Sequence, residues 1–190
     1  TYKTRRAGLS FSGAREKLSL SSSLSQDRSG GIRPNDDSQN TTFSAHLAME
    51  PLEGSSFHLI SRYTGSKRDV PNSRLLFNPR SKQKDDSWAI TGKWDQALTD
   101  WWDWHLQLSL FDDDLELQDP TFGPARIDTQ TTTADLRTNL SLGPYSLLTL
   151  GGEWETQKGK NSGAFNDQVI SRAFYAQDQI NWRDRLYQTL

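Results

Sequence analysis

Apolar side chains recur at every second position along this chain, in about ten separate runs. Across residues 15–25 (REKLSLSSSLS), Leu18, Leu20 and Leu24 alternate with Ser19, Ser21, Ser23 and Ser25. Phe43, Ala45, Leu47 and Met49 alternate with Ser44, His46 and Ala48. Trp104, Leu106, Leu108 and Leu110 alternate with His105, Gln107 and Ser109; Phe174, Ala176, Ile180 and Trp182 alternate with Tyr175, Gln177 and Gln179. A period of two places successive side chains on opposite faces of an extended backbone, so each run predicts a strand with one apolar and one polar face. The predicted strands cover about 4–12, 16–26, 40–50, 56–66, 87–98, 104–115, 129–142, 146–157, 170–182 and 186–190. Two residues break the pattern. Ile60 has no explanation in the sequence, and Asp178 is expected to pair across strands.

Strand length narrows the class. Most runs are about 9–13 residues, against about 5–6 in an average globular strand. About 9–11 tilted residues are what a bilayer's hydrocarbon core requires. The connections predicted between the runs alternate as well. Short turns fall near 13–15, 51–55, 99–103, 143–145 and 183–185, and long polar loops near 27–39, 67–86, 116–128 and 158–169. Tight turns at one end and long loops at the other mark an outer-membrane barrel. Tryptophans fit both membrane interfaces: Trp101, Trp102, Trp104 and Trp182 lie toward the short turns, Trp88 and Trp154 toward the loops.

The apolar fraction of 33% and mean hydropathy of −0.78 first suggest disorder. Seven Trp in ordered alternation and a net charge of only −2 argue against it. A strand that meets lipid on one face and a polar lumen on the other averages to the same low hydropathy. The expected fold is therefore all-β: an antiparallel transmembrane β-barrel segment of about ten strands. The tenth run holds five residues. Closing a barrel with it would strand backbone polar groups in hydrocarbon at several kcal/mol each, so a larger barrel is expected, and the isolated chain is not expected to fold.

Without cysteine, thiol nucleophiles, disulfides and thiolate metal sites are excluded. His46, His58 and His105 are far apart in sequence and match no metal-binding spacing, and no serine sits in a nucleophile elbow. The carboxylates of FDDD (111–114) read as a solvated strand end rather than an acid–base pair. Ten-stranded barrel proteases are the enzymatic alternative, but their Asp/His cluster is not evident, and no enzyme is expected. The near-neutral charge leaves no nucleic-acid footprint.

The stretch AFYAQDQINWRDRLYQTL (173–190) resembles the strand–turn–strand of TonB-dependent outer-membrane receptors, and LTLGGEWETQKG (148–159) resembles a glycine-rich strand of that family. The register of strands and loops is most similar to the cobalamin receptor branch, with FSAHLAMEPLEGSSFHLISRYTGSKRDVPN (43–72) like its early hairpin and GIRPNDDSQ (31–39) like its acidic second extracellular loop. The resemblance covers nearly all of residues 1–190 and implies part of a 22-stranded barrel in the bacterial outer membrane, with the plug domain absent from these residues. It further implies energised uptake of a scarce, large ligand, cobalamin first and a siderophore second, with the TonB complex acting through the plug. Outer-membrane lipid and lipopolysaccharide are the implied surroundings. A passive pore is the alternative from another class.

No cofactor is required by this reading. Calcium in the extracellular loops is the one metal it suggests, and hard cations take several oxygen ligands. Asp36 and Asp37 fit the family's acidic loop best, with Asp27 beside them and Asp85 on the neighbouring loop. Arg33, Arg74, Phe77 and Phe122 are candidate ligand contacts by their place in the loops. Arg62, Lys93, Asp135, Arg137 and Glu153 face the lumen and are expected to form salt bridges between strands.

Overall fold

In the computed structural model, which describes residues 3–33, 35–71, 81–182 and 186–189, the chain is a single antiparallel sheet. Ten strands follow one another in chain order: β1 (Thr4–Arg15), β2 (Leu18–Ser29), β3 (Ser38–Met49), β4 (Ser55–Asp69), β5 (Lys82–Thr99), β6 (Trp102–Asp119), β7 (Gly123–Ser141), β8 (Ser146–Asn161), β9 (Phe165–Trp182) and β10 (Leu186–Thr189). Each pairs only with its sequence neighbours, and β1 and β10 do not meet. Among the described residues the sheet is therefore open, with two free edges.

The strands are longer than the alternation predicts, reaching 18 residues in β5 and β6 and 19 in β7. Segments 116–128 and 158–169, expected as loops, are mostly paired strand, turning only at residues 120–122 and 162–164. The reason is physical. Above a membrane the outward face need not be apolar, so the alternating signal ends while backbone pairing continues. At about 3.4 Å per residue, β7 spans roughly 65 Å, about twice a hydrocarbon core.

Cross-strand register sorts the side chains into two faces. One row runs Leu9, Leu24, Phe43, Tyr63 and Trp88 from β1 to β5; another runs Leu18, Met49, Phe57, Trp94, Leu106 and Leu136 from β2 to β7. The opposite face carries rows such as Ser12, Ser21, His46, Ile60, Thr91 and Ser109. Ile60 thus does sit on the polar face. Asp178 lies on the apolar face and accepts a hydrogen bond from the Ser146 hydroxyl across the β8–β9 pair, at 2.7 Å. The apolar band runs obliquely to the rows. It starts at Leu9 and Trp88 on the early strands but at Leu110 on β6, where Asp112 already occupies the Trp88 row. Such a slant follows from strands tilted across a flat apolar layer.

No hydrophobic residue among those described is buried, and Leu9, Phe11, Leu108 and Phe174 are all more than half exposed. In water, each large apolar side chain left uncovered forgoes about 1.5–3 kcal/mol. About ten of them exceed the whole ~5–15 kcal/mol stability of an ordinary domain. Among the described residues the sheet has no second layer, and its apolar face is left uncovered.

Candidate functional site

The connections between β2 and β3, β4 and β5, and β6 and β7 emerge at the end of the sheet away from the tight turns, and a hydrogen-bonded chain joins them. Gly31 takes a left-handed backbone (φ 60°), and a Cβ there would lie 2.3 Å from the Asp36 carbonyl oxygen, so the loop closes on a position only glycine fits. The Ile32 amide donates to Asp36 Oδ2 at 3.2 Å. Asn35, also at φ 60°, donates its side-chain amide to the carbonyls of Val70 (2.9 Å) and Ser81 (3.2 Å). The Asp69 amide donates to the Asp37 carbonyl at 2.8 Å. The loop at 30–37 is thereby pinned to the base of the next loop.

Ser81 carries the chain onward. It is 1% exposed and donates its hydroxyl to Asp119 Oδ2 at 3.0 Å. Asp119 Oδ1 accepts from the amides of Thr121 (2.7 Å) and Phe122 (3.2 Å). The Thr121 amide, with help from the Ser81 hydroxyl, holds the Asp119 carboxyl below the usual carboxylate range. Phe122 stands at this hairpin tip, 82% exposed. Three connections distant in sequence form one braced rim.

Of the four carboxylates considered for calcium, Asp36 and Asp37 are neighbours in the loop at 30–37, while Asp27 and Asp85 lie on strands. Asp27 on β2 and Asp85 on β5 share one cross-strand row (Asp27, Asn40, Ser66, Asp85), three strand spacings or about 14 Å apart. Asp27 is paired with Arg6, and Asp85 faces Asp113. Asp36 bonds within its own loop, with Arg33 Nε 4.0 Å away. Asp37 sits beside Gly30 and Asp69 at the foot of that loop. Among the described residues no three His, Asp or Glu side chains converge on a point that would hold a metal ion. Arg33 and Phe122 are both exposed on the rim; Arg74 and Phe77 lie outside the described residues.

The polar face holds two features that the sequence did not disclose. All three histidines lie on it. His46 Nε2 is 3.1 Å from His58 Nδ1 with the rings stacked at 5.3 Å, and His105 lies between Asp95 and Asp103, its Nε2 2.8 Å from Asp103 Oδ1. Hairpin register, not sequence spacing, brings His46 and His58 together, since His46 opposes Ile60 two positions away. The second feature corrects an expectation. Among the described residues no ion pair joins Arg62, Lys93, Asp135, Arg137 or Glu153; Asp135 and Glu153 are themselves cross-strand partners. Like charges placed opposite one another cannot pair.

No protein-family model and no curated relative matches the sequence. Solved structures do. The siderophore receptor PirA from Pseudomonas aeruginosa matches 95% of this chain and 31% of its own, with 16% identity and a TM-score of 0.67. The outer membrane transporter YddB from Escherichia coli matches over 96% and 32%, with 14% identity and a TM-score of 0.73. The alcaligin outer membrane receptor FauA from Bordetella pertussis matches over 94% and 33%, with 17% identity and a TM-score of 0.70. The chain thus has the fold of a run of strands in these barrels and spans about a third of their length.

Proposed function

We propose that these ten strands form part of a larger closed barrel in the bacterial outer membrane, a TonB-dependent receptor that takes up a scarce chelated nutrient. One observation carries the reading: an open sheet, apolar on one face and free at both edges, superposes over 94–96% of the chain on outer-membrane receptors and transporters. Free strand edges in hydrocarbon demand partners, so further strands must complete the ring. The apolar face then meets lipid, the polar face lines the lumen, and the braced rim faces outward. The unpaired charges Arg62, Lys93 and Arg137 are available to whatever domain fills the lumen. The role in this reading is transport.

A ferric siderophore is the ligand class we favour over cobalamin. PirA is a siderophore receptor, and the rim offers exposed Arg33, a cation suited to an anionic chelate, with the exposed Phe122 ring as an apolar contact surface. The test is uptake of ⁵⁵Fe-loaded siderophores and of ⁵⁷Co-cyanocobalamin by cells with and without the gene. Gene-dependent iron uptake, abolished by a protonophore, is expected. Uptake that survives the protonophore would mean a passive pore, and cobalt uptake alone would restore the cobalamin assignment.

A further inference from the structure

Above the membrane the two faces of the sheet exchange character. On β6 the outward side chains turn from Leu108 and Leu110 to Asp112, Asp114 and Glu116, and Arg126 of β7 bridges Asp114 and Asp128. The inward face does the reverse. Lower down it carries Asp103, His105, Gln107 and Ser109; above, it carries Phe111, Leu115 and Leu117. Register continues this surface around the wall. Phe111 shares a row with Val169 of β9, and Leu115 shares one with Ile127 of β7 and Phe165 of β9. Phe111, Leu117, Phe165 and Val169 are all exposed. Between the two rows runs another, from Asp113 through Gly159 to Asp167. A Cβ at Gly159 would lie 3.2 Å from the Phe165 ring, so the ring leans over that glycine and narrows the gap between the apolar rows.

Height and charge identify the occupant. Leu115 is five residues beyond Leu110, about 17 Å along the strand. With strands tilted by about 35–45°, that is roughly 12–14 Å above the apolar band, beyond the acyl chains. On the inside of a closed barrel, only what enters the mouth or fills the lumen reaches this wall. Among the described residues no cation points inward on β5 to β9 at this height, whereas Asp85, Asp113 and Asp167 do. Burial, and then the neighbouring Asp85, hold the Asp113 carboxyl above the usual carboxylate range. An anionic group is repelled from such a wall, and an uncharged apolar one is accommodated. The cation nearest in register is the exposed Arg68 of β4. It aligns with Leu117 through Gln83, two strand spacings or about 10 Å away.

We propose that the ligand is an amphiphilic ferric chelate, whose acyl arm lies on Leu115, Leu117, Ile127 and Phe165 while its anionic head is held toward Arg68 and the rim. The inference rests on the reading of this protein as a ferric-chelate receptor with its polar face lining the lumen, and it specifies which chelates are taken. From β6 to β9 the wall spans three strand spacings, about 14 Å, room for a chain of about ten carbons.

The test uses the whole protein in lipid nanodiscs, with binding to empty nanodiscs subtracted. A ferric trihydroxamate and a ferric tricatecholate are each offered bare and with a decanoyl arm. A wall that shelters one side of the chain is worth about twofold in affinity per methylene, so the armed chelate should bind at least about a hundredfold more tightly than its bare form. A diazirine at the end of the arm should crosslink to residues 111–127 or 165–169. Leu115→Ser with Ile127→Ser should cut the preference for the armed form about tenfold or more and leave the bare chelate's affinity within about twofold. Equal affinity for armed and bare chelate overturns the proposal and needs no variant. So do crosslinks confined to lipid-facing residues or to the domain that fills the lumen. A double variant that binds the bare chelate normally and keeps the full preference overturns it as well. If that variant does not fold, the crosslinked positions in the parent decide. Failure of all four probes to bind sinks the ferric-chelate reading, and the inference with it; bare chelate bound without preference sinks the inference alone.

Discussion

Replacing Leu106 with arginine tests the face assignment most directly. On β6 the outward side chains from Trp102 to Leu110 are Trp102, Trp104, Leu106, Leu108 and Leu110. Eight residues at about 3.4 Å make this apolar stretch about 27 Å long, and Leu106 is its centre. An arginine at the middle of a barrel's lipid face costs about 2–4 kcal/mol, about 30- to 700-fold in the folding equilibrium. At the border, Leu110→Arg should cost about 0–1 kcal/mol. Gln107 is the next residue but faces the polar side, opposite Lys93 and Asp135. Gln107→Arg should therefore stay within about 0.5 kcal/mol of the parent. The assay is urea-dependent folding of the whole protein into short-chain phosphatidylcholine vesicles, followed by the gel-mobility difference between folded and unfolded forms. Equal costs at positions 106 and 107, or a cost at 106 no greater than at 110, would refute the two-faced reasoning.

Three further outcomes concern the rim. Asn35→Ala removes the amide's bonds to the Val70 and Ser81 carbonyls; at about 1 kcal/mol for each neutral bond, residues 30–37 should exchange amide hydrogens about tenfold faster or more, with global stability little changed. The Asp119 carboxyl is held below its unfolded-state pKa, so its contribution is complete above the ordinary carboxylate pKa of about 4 and is lost as pH falls through the depressed value. Protection of the Thr121 and Phe122 amides should fall on acidification in the parent and be low at every pH in Asp119→Ala. For calcium, the separation of Asp27 from Asp85 predicts that titrating the ion into chelator-treated protein leaves the melting temperature unchanged; a rise abolished by Asp36→Asn with Asp37→Asn would instead assign the ion to the loop at 30–37.

The face of each strand was legible because lipid imposes a chemical choice on every second residue. Leu106 and Gln107 differ in kind because their surroundings do. Beyond the membrane that pressure disappears. Glu116 and Arg126 oppose each other on the outward face of a continuous ladder, and the apolar residues around them, Leu115 and Leu117 opposite Ile127 and Ala125, lie on the other face, so the pattern of the membrane-level run is broken and the same segment read as loop. The rim was hidden for another reason. Asn35 and Ser81 are 46 residues apart, and an amide that donates to a backbone carbonyl leaves no trace in the identity of its partner. His46 and His58 were recoverable in principle. The register of the predicted hairpin places them on neighbouring strands of one face.

The unbroken chain-order pairing of the strands bears on how such a sheet is made. Every ladder among these ten strands is a hairpin between consecutive strands, so none of these nine pairings has to await a distant part of the chain. Loop-closure entropy is met in small steps rather than one large one. Growth can keep pace with delivery of the polypeptide, and at each moment the unsatisfied edges of these ten strands are the newest strand and β1. A flaw late in the order leaves earlier hairpins intact, whereas a flaw in β2 or β3 interrupts the ladder on which everything after it is laid.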